Sequence, residues 1–120
     1  MATGTLTSLS GVRQIVVEQY DVLIDSIAKS SYKIQTEQLT KAADTYKYVP
    51  LGVIGYLANN GDGGTGATLI KPYRIYVDNY QDNNGDAEFT LEIGLRNTST
   101  SSAVADIVIS TYVLFAALSA

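Results

Sequence analysis

The chain contains no histidine, no cysteine and no tryptophan. Without histidine there is no Ser-His-Asp relay, and without cysteine no Cys-His pair. The two absences together exclude zinc sites built on His or Cys, iron–sulfur clusters, haem held by either residue, and a disulfide framework. Charge is also scarce: 17% of residues are charged, against about 25% in an ordinary soluble chain. What stands in its place is neutral and polar, with 12 Thr, 10 Ser, 6 Asn and 9 Tyr beside a 46% hydrophobic content. The 120 residues suffice for one domain and fall short of two ordinary ones.

The net charge is −4. Residues 1–60 hold five acids and five bases, whereas residues 61–120 hold seven acids and three bases. No three basic residues cluster along the sequence, so the basic stripe of a nucleic-acid binder is missing and direct nucleic-acid binding is not expected. The N-terminus has neither a basic n-region nor an apolar h-region, so it does not read as a secretory signal. The uncharged run from Ile107 to Ala120 has 14 residues. That is short of the roughly 20 a helical membrane span needs, and none is expected.

The pattern along the chain is mainly that of strands. Residues 1–11 are small, hydroxylated and uncharged, and read as an extended arm with Leu6 and Leu9 as its sizeable apolar groups. The segment Val12 to Ala28 is two-sided. Val12, Val16, Tyr20, Leu23 and Ile27 fit a helical face, yet seven of 17 residues are Val or Ile, which favours a strand with Val12, Val16, Tyr20, Val22 and Ile24 on one side. Tyr32, Ile34 and Thr36 alternate with Lys33, Gln35 and Glu37, so this segment is expected to form a hairpin with the preceding one. Tyr46 to Ala58 is apolar but carries Pro50, Gly52 and Gly55, which predicts a broken or bulged strand.

Asn59 to Gly66 and Asp78 to Asp86 read as turns. Between them lies a strand, Ala67 to Val77, bulged at Pro72. In Glu88 to Arg96, Phe89, Leu91, Ile93 and Leu95 share one face and Glu88, Thr90, Glu92, Gly94 and Arg96 the other. A final strand runs from Val104 to Leu118, with Ala105, Ile107, Ile109, Val113 and Phe115 on one face and both faces apolar from Tyr112. Six to eight strands separated by Gly, Asn and Ser turns predict an all-β, antiparallel β-sandwich or single jelly roll over residues 12–120, with residues 1–11 as its arm.

The residues that could carry chemistry fit their motifs poorly. Asp82, Asn84 and Asp86 follow calcium-loop spacing, but Ala87 stands where glycine is needed and Ile93 where glutamate is needed. The glycine-rich segment Gly61 to Gly66 lacks the Gly-Lys-Ser/Thr ending of a phosphate loop. Glu88 and Glu92 lie about 13 Å apart along one strand face, too far for a glycosidase pair. Asn97-Thr98-Ser99 is a glycosylation sequon in a predicted surface loop. The expectation is therefore a protein with no catalytic residues, no metal and no cofactor. The tyrosines at 46, 48, 56, 73, 76 and 80 suit subunit contacts, or else sugar binding.

In general plan the chain resembles the small jelly-roll and β-sandwich subunits of virus capsids and capsid-decorating proteins. The likeness rests on the uncharged arm Met1 to Gly11, the turns at 59–66 and 78–86, the alternating strand Phe89 to Leu95 and the long last strand Val104 to Leu118. It implies self-assembly in a virion, with copies of itself and other structural proteins as partners. The arm residues Leu6 and Leu9, and Tyr112, Phe115 and Leu118 of the last strand, are the expected contacts. Two alternatives stand beside it. One is an extracellular filament subunit polymerising by donating its N-terminal strand. The other is a small carbohydrate-binding sandwich.

Overall fold

The computed structural model describes residues 11–61 and 66–119. Among these residues six strands carry the fold: β1 (Val12–Ile27), β2 (Tyr32–Lys41), β3 (Tyr46–Asn60), β4 (Ile70–Asn83), β5 (Asp86–Asn97) and β6 (Val104–Ser119), with a 3-10 turn at Ala67–Leu69. They form two antiparallel three-stranded sheets. Sheet I has the order β1-β6-β3 and sheet II the order β2-β5-β4. The sheets pack face to face as a β-sandwich whose shortest dimension is 20 Å. The first strand pairs with the last and the second with the penultimate, so β1 to β4 wrap around β5 and β6 and occupy all four edges.

Alternation decides the core. On β5, Phe89, Leu91, Ile93 and Leu95 are buried, as expected, and they face Ile107, Ile109, Val113 and Phe115 of β6. Each such side chain taken out of water contributes about 1.5–3 kcal/mol. The core has two ends. One is aliphatic, around Ile24, Ile70, Leu91, Ile93 and Ile107. The other is aromatic, where Tyr20, Phe89, Phe115 and Tyr48 meet edge to face in a continuous chain. Edge-to-face contact places the positive ring rim against the negative ring face. Thr111 lies on the same inward side of β6, between these ends, fully buried and with no partner for its hydroxyl among the described residues.

The segment 12–28 resolves as strand, consistent with its Val and Ile content. β3 is bulged as expected: register shifts between Pro50 and Gly52 and between Val53 and Gly55 leave Leu51 and Ile54 as extra residues. β4 is shifted between Pro72 and Arg74. Four expectations are corrected. β1 and β2 are not a hairpin; the chain crosses from sheet I to sheet II at the turn containing Ser30, whose φ is 54°. The turn expected over 78–86 shrinks to Asn84-Gly85, both at positive φ, because β4 continues to Asn83 around an irregularity between Asp78 and Gln81. Val12 pairs with Leu118 on the outer side, because the shift at Arg13 reverses the facing of the residue before it. Ala105 is exposed and Val104 buried, because Asp106 takes a left-handed φ of 56° and breaks the alternation of β6.

The faces of β2 are also the reverse of a simple apolar-inward reading. Tyr32 and Ile34 are exposed, whereas Lys33, Gln35 and Glu37 are half-buried between the sheets. The cause is the open flank of the sandwich. Gln35 Nε2 donates to the Leu23 carbonyl at 2.9 Å and Lys33 Nζ to the Ser26 carbonyl at 3.3 Å. Lys41 pairs with Glu18 on the same flank. Polar side chains of β2 thus close the side of the core by satisfying backbone acceptors of edge strand β1.

Candidate functional site

Residues with possible chemistry are committed elsewhere in the fold. Asp82 caps the two-residue hairpin turn: its Oδ1 accepts from Gly85 N at 2.9 Å, and its carboxylate pairs with Lys47. Those two interactions, Lys47 first, hold its pKa below the usual carboxylate range. Asp86 Oδ1 accepts from Ala43 N at 2.8 Å. Glu92 is held by Tyr76 and by Arg74, 2.8 Å away, which also lower its pKa. Asp44 accepts from Tyr46 N and from the Tyr48 hydroxyl, and its pKa is lowered in that order of cause. Among the described residues no three Asp or Glu side chains converge as a metal would need, and no helix is long and apolar enough to cross a membrane.

The sequon reading is corrected by packing. Asn97 ends β5 with 0% of its surface exposed. Its Nδ2 donates to the carbonyls of Ile27, Ala28 and Ser102 at 3.0, 3.3 and 3.0 Å, and its Oδ1 accepts from Ser99 N at 2.9 Å. One side chain therefore ties the end of β1 to the loop before β6, and its nitrogen is not presented to solvent.

The last strand divides the expected contact residues. Tyr112 and Leu118 lie on the outer side of β6 with Leu114 and Ala116, whereas Phe115 is 0% exposed inside the aromatic end of the core. Phe115 is therefore not available to a second copy, because the two-residue period that exposes Tyr112 turns Phe115 inward. Leu6 and Leu9 lie outside the described residues.

The outer face of sheet I follows from strand register. Across β1, β6 and β3 it reads Ile15-Ala116-Val49, then Val17-Leu114-Gly52, then Gln19-Tyr112-Gly55. No charge occurs in these three rows. The neighbouring rows add Val12-Leu118-Lys47 on one side, and Asp21-Ser110-Leu57 and Leu23-Val108-Asn59 on the other. Two-layer antiparallel sheets ordinarily present polar side chains outward; here Ile15, Val17, Leu23 and Leu57 are each about half exposed.

The outer face of sheet II has a different character. Its rows run Tyr32-Arg96-Lys71, Ile34-Gly94-Arg74, Thr36-Glu92-Tyr76, Gln38-Thr90-Asp78 and Thr40-Glu88-Gln81. Gly94 permits a close layer above it. A Cβ there would lie 2.5 Å from Arg74 Cγ and 2.8 Å from Tyr73 Cζ. Tyr73 meets Tyr32 edge to face, with ring centroids 5.4 Å apart. Arg96 lies over Tyr32, and Arg74 over both Tyr73 and Tyr76. Lys71, Arg74 and Arg96, which are all the bases of the second half of the chain, thus share one end of one face. Sequence spacing hid this, since Lys71 and Arg96 are neighbours only through the β4–β5 register.

The four edges differ in how they are protected. β1 is covered by the Gln35 and Lys33 bonds and shifted at Arg13. β3 carries Pro50 and two shifts, and β4 carries Pro72 and two shifts. β2 alone runs its ten residues with no shift and no proline. No protein-family model, curated protein or solved structure matches this chain.

Proposed function

We propose that the chain is a non-catalytic structural subunit that assembles with copies of itself, as a shell or decorating protein of a virion. The observation that carries this reading is the outer face of sheet I. Six rows by three strands, at about 3.3 Å per residue and 4.8 Å per strand, make roughly 600 Å² per copy. Its charges in those rows are Asp21 and Lys47, both peripheral. Two such faces in contact bury about 1,200 Å², which clears the roughly 1,000 Å² expected of a specific interface. The wrap of β1 to β4 around β5 and β6 supports the same reading, as a jelly roll reduced to six strands. The test is light scattering and negative-stain microscopy of the purified protein and of Val17→Lys. Val17 is 48% exposed, so the variant keeps its fold by circular dichroism and loses assembly beyond a dimer. A wild-type protein that stays monomeric at high concentration, across salts and pH, overturns the reading.

A second reading, a filament joined by strand donation, is favoured by the edge of β2. An unshifted, proline-free edge accepts an added strand through its free backbone groups. In that case deletion of residues 2–11 abolishes polymerisation, and a synthetic peptide of those residues caps the folded protein. In the face-to-face reading the deletion only weakens the assembly.

A further inference from the structure

We propose that the outer face of sheet II is a second self-contact, formed with another copy of this chain across a two-fold axis that lies between the sheets and perpendicular to their strands. The reason is the order of charges along the face. Arg96 and Lys71 occupy one end row, Arg74 the next, Asp78 the row beyond centre and Glu88 the far row. Glu92 and Tyr76 stand in the middle row. Rotation about an axis through that row lays each strand on its own copy, run in the opposite direction. Arg96 then lies over Glu88 of the second copy, and Arg74 over its Asp78, with each pair made twice. Tyr76 meets Tyr76 near the axis, while each Glu92 remains held by its own Arg74 and Tyr76.

The alternative two-fold axis, parallel to the strands, sets Arg96 on Arg96 and Glu88 on Glu88. Like charges so placed oppose association; Glu92 lies over Glu92 with either axis, so the charges of the other rows select the first axis. The composition suits a contact, since Tyr and Arg are the residues that concentrate binding energy at interfaces. Ten residues of β2 by three strands give about 500 Å² per copy and 1,000 Å² in all, at the lower limit of a specific interface. A single strand of nucleic acid would also meet tyrosines and arginines here. It would then run into Asp78 and Glu88, so the observations favour the second copy.

This contact rests on the assembly reading but uses the opposite face, so it stands or falls separately. A subunit with a self-complementary face on each side of a 20 Å thickness propagates an array rather than closing as a dimer. In the Val17→Lys chain, which blocks the sheet I contact, the sheet II contact remains and the product is a dimer. Into that background we would place Arg96→Glu and Glu88→Lys separately, and follow sedimentation with concentration. Each is expected to weaken the dimer about 100-fold or more, the scale of losing two close charge pairs. An equimolar mixture of the two is expected to restore it, since each contact then joins opposite charges. On β5 Arg96 is exposed and Glu88 half-buried, and both variants are checked for fold by circular dichroism.

Results of three kinds would overturn the proposal. One is a Val17→Lys chain that is folded and monomeric. Another is a dimer indifferent to both charge reversals, or two weakened variants that the mixture fails to rescue. The third is binding of a fluorescent single-stranded oligonucleotide that Arg96→Glu abolishes and Glu88→Lys strengthens, with no dimer present. If instead Val17→Lys leaves the wild-type assembly intact while the charge pair behaves as stated, it is the sheet I reading that has failed.

Discussion

Replacing Asn97 with alanine removes an amide whose two N–H groups are shared among three backbone carbonyls. The Ile27 carbonyl is in a fully buried bond, and those of Ala28 and Ser102 are part-buried. A buried acceptor left without a donor costs about 1–3 kcal/mol. The two part-buried carbonyls regain water in part, so we take the middle of that range for the first and less for the others. The sum is about 3 kcal/mol, a large fraction of the 5–15 kcal/mol typical of a domain. The assay is equilibrium urea unfolding followed by far-UV circular dichroism and by the fluorescence of the nine tyrosines, in a chain without tryptophan. Asn97→Asp keeps the shape but offers no donor when ionised, so it is destabilised at neutral pH. Protonation returns a donor, so the loss relative to wild type shrinks as the pH falls. A loss below about 1 kcal/mol for Asn97→Ala would refute the reasoning, since a solvent-exposed asparagine would behave that way.

Three further outcomes follow from the packing. Thr111→Val removes a buried hydroxyl with no partner and is expected to raise stability by about 1 kcal/mol in the same urea assay. Burial, then the nearby Glu18, pushes the Tyr20 pKa up to about 12. The folded state therefore resists deprotonation, so its stabilisation is complete below pH 10 and is lost as the pH rises from about 10 to 12. Tyr20→Phe flattens that part of the profile of urea midpoint against pH. Gly94→Ala puts a methyl group where Tyr73 and Arg74 now lie. The expected loss is about 1 kcal/mol, with the Tyr32 and Tyr73 rings displaced from contact in a crystal structure.

The fold was legible in the sequence where one face of a strand had to be dry. β5 shows this best: the alternation from Glu88 to Arg96 predicted both its buried and its outward residues. Pro50, Gly52 and Gly55 similarly announced the shifts of β3. Legibility ended where pairing was non-local. Alternation within β1 and β2 cannot say that they belong to different sheets, because that depends on β5 and β6, which lie far away in the chain. Left-handed residues were the other blind spot, since Asp106 reverses the facing of Val104 and Ala105 without any glycine to mark it. Of the expected contacts, Tyr112 and Leu118 fall on an outer face and Phe115 in the core, and the period of two would have separated them. The joining of Arg96 to Lys71 and Arg74 had no linear signal, because only the β4–β5 register brings it beside them.

The central claim is that the outer face of sheet I, uncharged in its three rows from Ile15 to Gly55, meets a second copy. Sedimentation velocity across a wide concentration range, on the wild type and on Val17→Lys side by side, tests it most directly. A wild-type assembly of at least two copies is expected, and a Val17→Lys species smaller than it and no larger than a dimer, both with the same circular dichroism spectrum. A wild type that sediments as a monomer throughout, or an assembly that Val17→Lys leaves unchanged, would contradict it.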